Sequence, residues 1–498
     1  MLFSSQAFLL LFLPLALALY HAFADSYRAR LWALTLCSFG FYAWWDLRFL
    51  PLLVGAITLN WALGRWYLAH GRPRGLIVVG IACHLALLGF FKYANFFADS
   101  FTALTGVEHQ RWSIVLPLAI SFFTFQQISY LVDLKRGRAP AYDWLQYTAY
   151  IVFFPHLIAG PIVRHNELIG QFDADPHRPG AMETAARGLV LFTLGLVKKV
   201  FFADELAPIA DPVFASALAG TVPATPDAWL GALFGLRLPL NFDRPYRAAS
   251  IREFWRRWHM TLSRFFRDYL YIPLGGNRGG FVATCALVML TMTLCGLWHG
   301  AGWTFVAWGT LHGLYLCINH AWRHTTTRLF PQGLLPVPLA KALSWLVTFV
   351  AIVVGWVFFR AGSFDAALSV LQGMAGLNGI ALPNAIAARL DAVWPVLARL
   401  GFGTYLGGGS QFVFTWLWIA ALLPIALILP NTQQIMRQAQ PGLHLHSGRT
   451  DDELQPAPRL ADKLAWRNTT GWAIGIGLLA AISVLAMTRI SEFLYFQF

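Results

Sequence analysis

Charged side chains are scarce in this chain of 498 residues, in which Asp, Glu, Lys and Arg together make up 12%. A soluble globular protein carries about twice that fraction. Acidic residues are the fewest, with 24 Asp and Glu against 37 Lys and Arg. Beside 57% hydrophobic residues, this basic excess indicates loops that face anionic lipid rather than a nucleic-acid surface. The composition predicts a multi-pass membrane protein in contact with lipid and argues against nucleic-acid binding.

Cysteine is also scarce, and no two cysteines form a C-x-x-C pair. All five lie in apolar runs: Cys37, Cys83, Cys285, Cys295 and Cys317. They predict neither a disulfide framework nor a zinc site, and no metal site is predicted elsewhere. The N-terminus lacks the basic region and cleavage site of a secretory leader, so its apolar stretch at 8–20 is predicted to be a retained first span.

Long apolar runs, in contrast, recur along the whole chain. Those long enough to be spans or half-spans lie at about 5–23, 31–45, 49–69, 76–91, 112–132, 145–163, 188–202, 281–298, 303–319, 342–359, 412–430 and 471–488. They predict one all-α membrane domain over 1–498, a bundle of roughly eleven to thirteen membrane segments in which short runs are tilted or re-entrant.

Basic clusters in alternate connections predict the orientation of this bundle. Arg28 and Arg30, the cluster 72–74 and the cluster 135–138 are expected to be cytoplasmic, which places the N-terminus outside. The polar segment 431–468 is predicted to be a cytoplasmic extramembrane loop, and the aromatic tail 489–498 is then outside. Segment 363–410 is rich in Gly and Ala, and its pattern predicts no particular structure.

One histidine lies at the end of an apolar run. His299 follows the run 281–298 and has Gly296, Gly300 and Gly302 around it. An ionisable side chain at membrane depth is costly, so it marks a candidate functional site. The alternative is a packed histidine that is hydrogen-bonded to a neighbouring helix, and position alone leaves both interpretations open.

The residues 251–271 have the clearest helical period in the chain. Apolar side chains fall on one predicted face, whereas Arg252, Arg256, His259, Ser263 and Arg267 fall on the other. Ser250 is the expected N-cap. One interpretation is an interfacial helix with its aromatic side in lipid. The other makes the basic face the wall of a cavity for an anionic, phosphate-bearing substrate.

Several long motifs are the most specific feature of the sequence. They are FKYANF (91–96), PHLIAGP (155–161), KKVFFAD (198–204), NFDRPY (241–246), FWRRWH (254–259), RDYLYIPLGGNR (267–278) and GLWHG (296–300). In this order they resemble the membrane-bound O-acyltransferase family, and within it the branch that takes part in bacterial alginate O-acetylation. The resemblance runs from residue 1 to 498 and is weakest over 363–470.

The resemblance implies a tilted helical bundle with a thinned centre, in which His299 corresponds to the catalytic histidine and His259 to a second polar position. A neutral imidazole suits the general base of acyl transfer from a thioester to a hydroxyl. We expect His259 to help orient the acyl carbonyl. The further candidates for donor binding or for the cavity wall are Arg252, Arg256, Arg267, Trp258, Trp298, His312 and Asn319.

By the same resemblance, acetyl-CoA is the expected acyl donor and no cofactor is bound. The expected location is a bacterial inner membrane. The expected partners are a periplasmic SGNH-type acetyltransferase and polysaccharide biosynthesis proteins, through which the acetyl group reaches an exopolysaccharide. Two alternatives remain at this point: D-alanyl transfer to teichoic acid, and a transporter that moves a small anion past the arginines.

Two further predictions concern the C-terminal tail and a departure from the family pattern. Tyr495, in the terminal FLYFQF, resembles an acyl-carrying tyrosine of D-alanylation systems, and the alternative is an aromatic anchor at the membrane edge. In addition, roughly twenty residues of the family pattern are missing before Leu233, about one span's worth. This departure predicts a local distortion over 229–245 and an incomplete cavity, which would impair activity.

Overall fold

The structure is a computed structural model that describes residues 3, 5–158, 160–203, 239–329, 335–436 and 462–487. Helices dominate this part of the chain, which confirms the predicted all-α class. A short pair of parallel strands, β1 (Ile380–Pro383) and β2 (Phe402–Tyr405), is the exception, with Ile380 opposite Phe402. This pair lies in segment 363–410, whose structure the sequence pattern did not predict.

The first half of the chain forms a bundle around one large core of aromatic and aliphatic side chains. Its α-helices are α1 (Leu13–Ala22), α2 (Tyr27–Ala43), α3 (Leu50–Ala69), α4 (Arg74–Leu88), α5 (Ala94–Thr105), α6 (Ile120–Lys135), α7 (Trp144–Val152), α8 (Phe154–Leu157), α9 (His165–Leu168) and α10 (Ala181–Val197). One π-helical turn, Gly89–Tyr93, joins α4 to α5.

The second half contains the long helices that surround His299. Its α-helices are α11 (Ile251–Arg257), α12 (Met260–Phe266), α13 (Gly280–His299), α14 (Trp303–Leu329), α15 (Val337–Arg360), α16 (Phe364–Met374), α17 (Asn384–Ala387), α18 (Trp394–Arg399), α19 (Gly409–Ile428), α20 (Thr432–Ile435) and α21 (Thr470–Leu485). A π-helical turn, Arg267–Tyr271, follows α12 directly.

Helix α6 connects the two halves and is buried along nearly its whole length. Phe123 and Leu131 belong to the core of the first bundle. Phe122 and Phe125 belong to a second core formed mainly by α11 to α15. Because one helix contributes to both cores, the two halves pack as a continuous interior.

Four helical stretches among the described residues are long and apolar enough to cross a membrane: Leu47–Ala69, Arg74–Thr105, Gly280–His299 and Val337–Arg360. Shorter apolar helices lie at Phe8–Ala22, Phe412–Ile428 and Thr470–Leu485. Large apolar side chains such as Leu59, Val282 and Val347 point out of the protein, as expected where lipid replaces water. The number of crossing segments and their orientation stay predictions.

Helices α13 and α14 approach each other closely through glycines. A Cβ atom on Gly296 would collide with the carbonyl oxygen of Phe305, and one on Gly309 would collide with the carbonyl oxygen of Met292. Small residues of this kind allow helix backbones to meet inside a membrane protein, where packing rather than the hydrophobic effect drives association. Their contact brings the end of α13 against the start of α14.

The single continuous helix predicted over 251–271 is wrong. Ser250 does cap α11, since its Oγ accepts a hydrogen bond from the Glu253 N–H at 3.2 Å. The helix then stops, because Trp258 is extended and His259 adopts a left-handed conformation with φ of 42°. The aromatic side chains, which one of the two interpretations placed in lipid, pack in the second core.

Two other predictions are only partly covered by the described residues. The polar segment 431–468 is not a simple loop at its ends, because Met436 and Trp466 are buried against Leu191 of α10. Its middle, 437–461, lies outside the described residues, as does 229–238 of the predicted distortion.

Candidate active site

His299 is the last residue of α13, and its side chain lies among aromatic rings. The centroid of its imidazole is 4.9 Å from that of Trp298, 5.1 Å from Trp308 and 5.2 Å from Phe359. The His259 imidazole lies 6.1 Å away, centroid to centroid. The structure therefore brings together two histidines that are forty positions apart in the chain.

The conformation of His259 is held by Asn241, which precedes it in the chain. The Asn241 Oδ1 atom accepts hydrogen bonds from the N–H and the hydroxyl of Thr261, at 3.2 and 2.9 Å, and its backbone carbonyl accepts one from Met260. Asn241 thus caps the first turn of α12 from outside the helix. A left-handed φ is costly for a residue with a Cβ atom, so such support is expected where it persists.

His312 belongs to the same cluster, although it follows His299 by thirteen positions. Helix α14 runs back along α13, so the His312 ring lies 4.8 Å from Trp308 and 5.4 Å from Trp255. Gly355 of α15 leaves room for it, since a Cβ there would be 2.7 Å from the His312 Nε2 atom. The prediction that His312 lines the cavity stays a prediction.

Several polar atoms of this cluster are buried without a hydrogen-bond partner among the described residues. They are His259 Nδ1, His299 Nε2, His312 Nδ1 and the indole Nε1 atoms of Trp255, Trp298 and Trp308. A buried polar group without a partner costs about 1–3 kcal/mol. So many in one place indicate a site that binds polar groups rather than a packing core.

The predicted arginines do not join this buried cluster. Arg252, Arg256 and Arg267 are exposed. Burial lowers the pKa of Arg252, and the nearby charges of Arg323 and Arg256 lower it further. Arg252, Arg256 and Arg323 therefore form one basic patch. Arg267 instead donates to Asp268, with Nε 2.7 Å from Oδ1.

A charged network fixes α12 and the turn after it to the first bundle. Arg164 pairs with Asp268 at 2.5 Å, Arg264 pairs with Glu167, and the Tyr269 hydroxyl donates to Asp133 at 2.7 Å. Burial would raise the pKa of Asp268, but hydrogen bonds from Arg267 and Arg164 outweigh it and hold that pKa below its usual value. Arg164, Glu167, Arg264 and Asp268 together form a clamp between the two halves.

The remaining predicted residues differ in how close they lie to the two histidines. Trp298 is buried and contacts both histidines, whereas Trp258 is half-buried and stacks on Phe254 at 5.6 Å. Asn319 lies two turns beyond His312 on α14, and its part in the cavity stays a prediction. Tyr495 lies outside the described residues. In the described part of the chain, no three His, Cys, Asp or Glu side chains are placed to hold a metal ion.

Lys92 and Asn241 are the residues whose part in the site could not be predicted from the sequence alone. Each is within a family motif, but its contacts are made to a distant part of the chain. Lys92 donates to the Trp298 carbonyl at 2.5 Å. Periodicity and spacing carry no signal of such a contact.

The described part of the chain is an apolar-surfaced helical bundle in which the buried His259 lies beside the half-buried His299, as in a membrane-embedded site. Residues 226–359 match the model of the membrane-bound O-acyltransferase family. The probable alginate O-acetylase AlgI of Azotobacter vinelandii is 37% identical over 532 aligned positions that cover 100% of both chains. The chain belongs to the membrane-bound O-acyltransferase family, and it is an O-acyltransferase.

Other relatives extend this comparison. The probable alginate O-acetylase AlgI of Pseudomonas aeruginosa is 41% identical over 75% of each chain. The peptidoglycan O-acetyltransferase of Helicobacter pylori is 38% identical over 77% of this chain and 81% of its own length. The teichoic acid D-alanyltransferase of Streptococcus thermophilus is 25% identical over 49% of this chain. All are named as acetylases or acyltransferases, which gives no support to a transporter.

The predicted absence of a family segment near 232–233 stays a prediction. The alignment with the Azotobacter vinelandii protein spans 532 positions, more than the 498 residues of this chain. Part of that relative therefore has no counterpart here. The alignment length does not locate the gap, and 232–233 lies outside the described residues.

Proposed function

We propose that this protein transfers acetyl groups from cytoplasmic acetyl-CoA, at a bacterial inner membrane, for the O-acetylation of an exopolysaccharide such as alginate. The observation that carries the proposal is the His259–His299 pair, with ring centroids 6.1 Å apart and one nitrogen of each ring buried without a partner in the described structure. In the proposed complex, a hydroxyl or carbonyl oxygen of a substrate binds between the rings and bonds to these nitrogens.

In this mechanism His299 is the general base. Its Nε2 atom takes the proton of the acceptor hydroxyl as the hydroxyl oxygen attacks the thioester carbonyl carbon. The carbon–sulfur bond then breaks, and the proton passes to the thiolate that leaves. His259 donates to or orients the acyl oxygen, where negative charge develops. The indole N–H groups of Trp298 and Trp308, beside His299, are further donors for that oxygen.

The basic patch of Arg252, Arg256 and Arg323 suits the phosphates of the donor, because guanidinium groups bind phosphate oxygens in pairs. Arg267 pairs with Asp268 of the clamp and is therefore not assigned to the donor. Tyr495 remains part of the proposal as the residue that carries the acetyl group outward. The expected acceptor is a periplasmic SGNH-type acetyltransferase, working with polysaccharide biosynthesis proteins.

D-alanyl transfer is the weaker alternative, since the teichoic acid relative aligns over about half of the chain. Peptidoglycan is a second candidate acceptor, because a relative named for that reaction is 38% identical. One assay can identify both the donor and the acceptor. Labelled acetyl-CoA or a labelled D-alanyl thioester is supplied with fragments of alginate or peptidoglycan, and the labelled product is measured.

The proposal predicts that purified protein in detergent transfers or hydrolyses the acetyl group of labelled acetyl-CoA. His299→Gln should lower the rate at least about 100-fold, since a general base contributes that much. His320→Gln is the matched control, because His320 lies on α14 but is exposed and stacks on Phe281. Equal rates for both variants would overturn the proposal.

A further inference from the structure

The carbonyl end of α13 is bonded to side chains from another helix. The last four carbonyls of any α-helix lack partners within the helix, and inside a membrane water is not available to replace them. In α13 these carbonyls belong to Gly296, Leu297, Trp298 and His299. The Gly300 N–H bonds to the first of them at 3.4 Å.

Two adjacent residues of the π-helical turn between α4 and α5 bond to the other three. The Tyr93 hydroxyl donates to the Leu297 carbonyl at 2.8 Å. The Lys92 ammonium donates to the Trp298 carbonyl at 2.5 Å and to the His299 carbonyl at 3.4 Å. All four carbonyls are therefore accounted for.

The π-helical turn Gly89–Tyr93 explains how two neighbouring residues reach the same helix end. Consecutive residues of an α-helix point about 100° apart. A π-helical turn changes that phase, and such turns recur at functional sites. Here the turn ends at Tyr93, so Lys92 and Tyr93 both project toward the end of α13.

The charge of Lys92 is unusual in this place. It lies within the apolar stretch Arg74–Thr105, where an ammonium group is costly and marks a candidate functional residue. Its bonds go to backbone carbonyls, and its Nζ atom is also 6.0 Å from the Trp298 ring centroid. A positive charge at the carbonyl end of a helix is stabilising because it faces the negative pole of the helix dipole.

We propose that Lys92 is a positioning residue of the acyl-transfer site. Its ammonium group, with the Tyr93 hydroxyl, ends α13 at His299 and fixes the backbone from which that imidazole projects. The proposal rests on the proposed function of His299. A general base displaced by about 1 Å can cost about 100-fold in rate, so a change at Lys92 should act on catalysis without touching the substrate.

Lys92→Met keeps the length of the side chain and removes its donors and charge. We expect kcat for acetyl transfer to fall about 100-fold, while KM for acetyl-CoA changes less than about threefold, because the donor contacts remain. Lys92→Arg should recover most of the rate. Tyr93→Phe removes one neutral bond and should cost less than Lys92→Met.

Lys198→Met is the matched control. Lys198 is another lysine in an apolar helical region, more exposed than Lys92, and its Nζ atom bonds to the Thr432 hydroxyl at 2.6 Å, away from the histidines. Lys92→Ala assayed with ethylamine gives a second test. Ethylammonium should raise its rate, whereas tetramethylammonium, which carries charge but no N–H, should not.

The outcomes separate the inference from the function it rests on. If His299→Gln is as active as the parent protein, the proposed function fails, whatever Lys92 does. If His299→Gln is inactive but Lys92→Met keeps the parental kcat, the inference alone is wrong. If Lys92→Met and Lys198→Met lose the same fraction of kcat, and ethylamine does not raise the rate of Lys92→Ala, Lys92 contributes only to the general stability of the protein. If Lys92→Met does not fold, the other two variants decide. The positioning role of Lys92 is then overturned if Tyr93→Phe keeps the parental kcat and ethylamine does not raise the rate of Lys92→Ala.

Discussion

His259 shows how a single residue's conformation can build a membrane site. Its left-handed φ of 42° ends α11 and starts α12, and the turn directs its imidazole inward to within 6.1 Å of His299. The strain is balanced by neighbours, above all by Asn241. Strain of this kind is tolerated where the surroundings over-determine the geometry, and it occurs often at active sites.

At the residue scale we therefore predict that Asn241→Ala impairs both stability and catalysis. Loss of its capping oxygen should cost about 1–2 kcal/mol of folding free energy, and kcat should fall further because the His259 turn relaxes. Ser363→Ala is the control, since Ser363 caps α16 by accepting from the Ala366 N–H at 3.1 Å. Thermal unfolding and acetyl-transfer assays should show similar stability losses but a loss of kcat in Asn241→Ala alone. A similar kcat for both variants would contradict this role.

At the scale of elements, the sequence predicted helices better than it predicted where they meet. The apolar run 281–298 and the glycines near His299 located α13 and its end, because both depend on local composition. The break within 251–271 could not be predicted, since Asn241 and Thr261 create it through tertiary hydrogen bonds. The contact between Lys92 and α13 was equally hidden, because its partners are about two hundred positions apart.

The α13–α14 pair leads to a prediction of its own. Gly309→Ala places a methyl group against the Met292 carbonyl, so the helices must separate, at a cost of about 1–3 kcal/mol. That movement should also lower acetyl transfer, since Trp308 and His299 lie on opposite sides of the contact. Gly475→Ala in α21 meets nothing within 4 Å and should be neutral or slightly stabilising. Equal melting temperatures for the two variants would show that the helices can adapt.

At the scale of the whole molecule, the clamp holds the half that carries His259 against the first bundle. Arg164 and Glu167 belong to the first half, whereas Arg264 and Asp268 belong to α12 and the turn after it. Both pairs are largely buried, so solvent screens them less than surface pairs. Breaking one partner of such a pair leaves an uncompensated charge, which costs more than the pair itself contributes.

The clamp predicts a specific dependence of stability on pH. The pKa of Asp268 in the folded protein is below its usual value, so its contribution is complete above the unfolded pKa of about 4 and is lost as the pH falls through the lower, folded value. The melting temperature of the parent protein in detergent should therefore fall as the pH is lowered. Asp268→Asn should melt at a lower temperature than the parent at neutral pH, and its melting temperature should fall less as the pH is lowered. Asp46→Asn is the control, because Asp46 pairs with the exposed Arg48 and such pairs contribute little. If both variants follow the parental curve, the two halves are held together by their shared core at α6 instead.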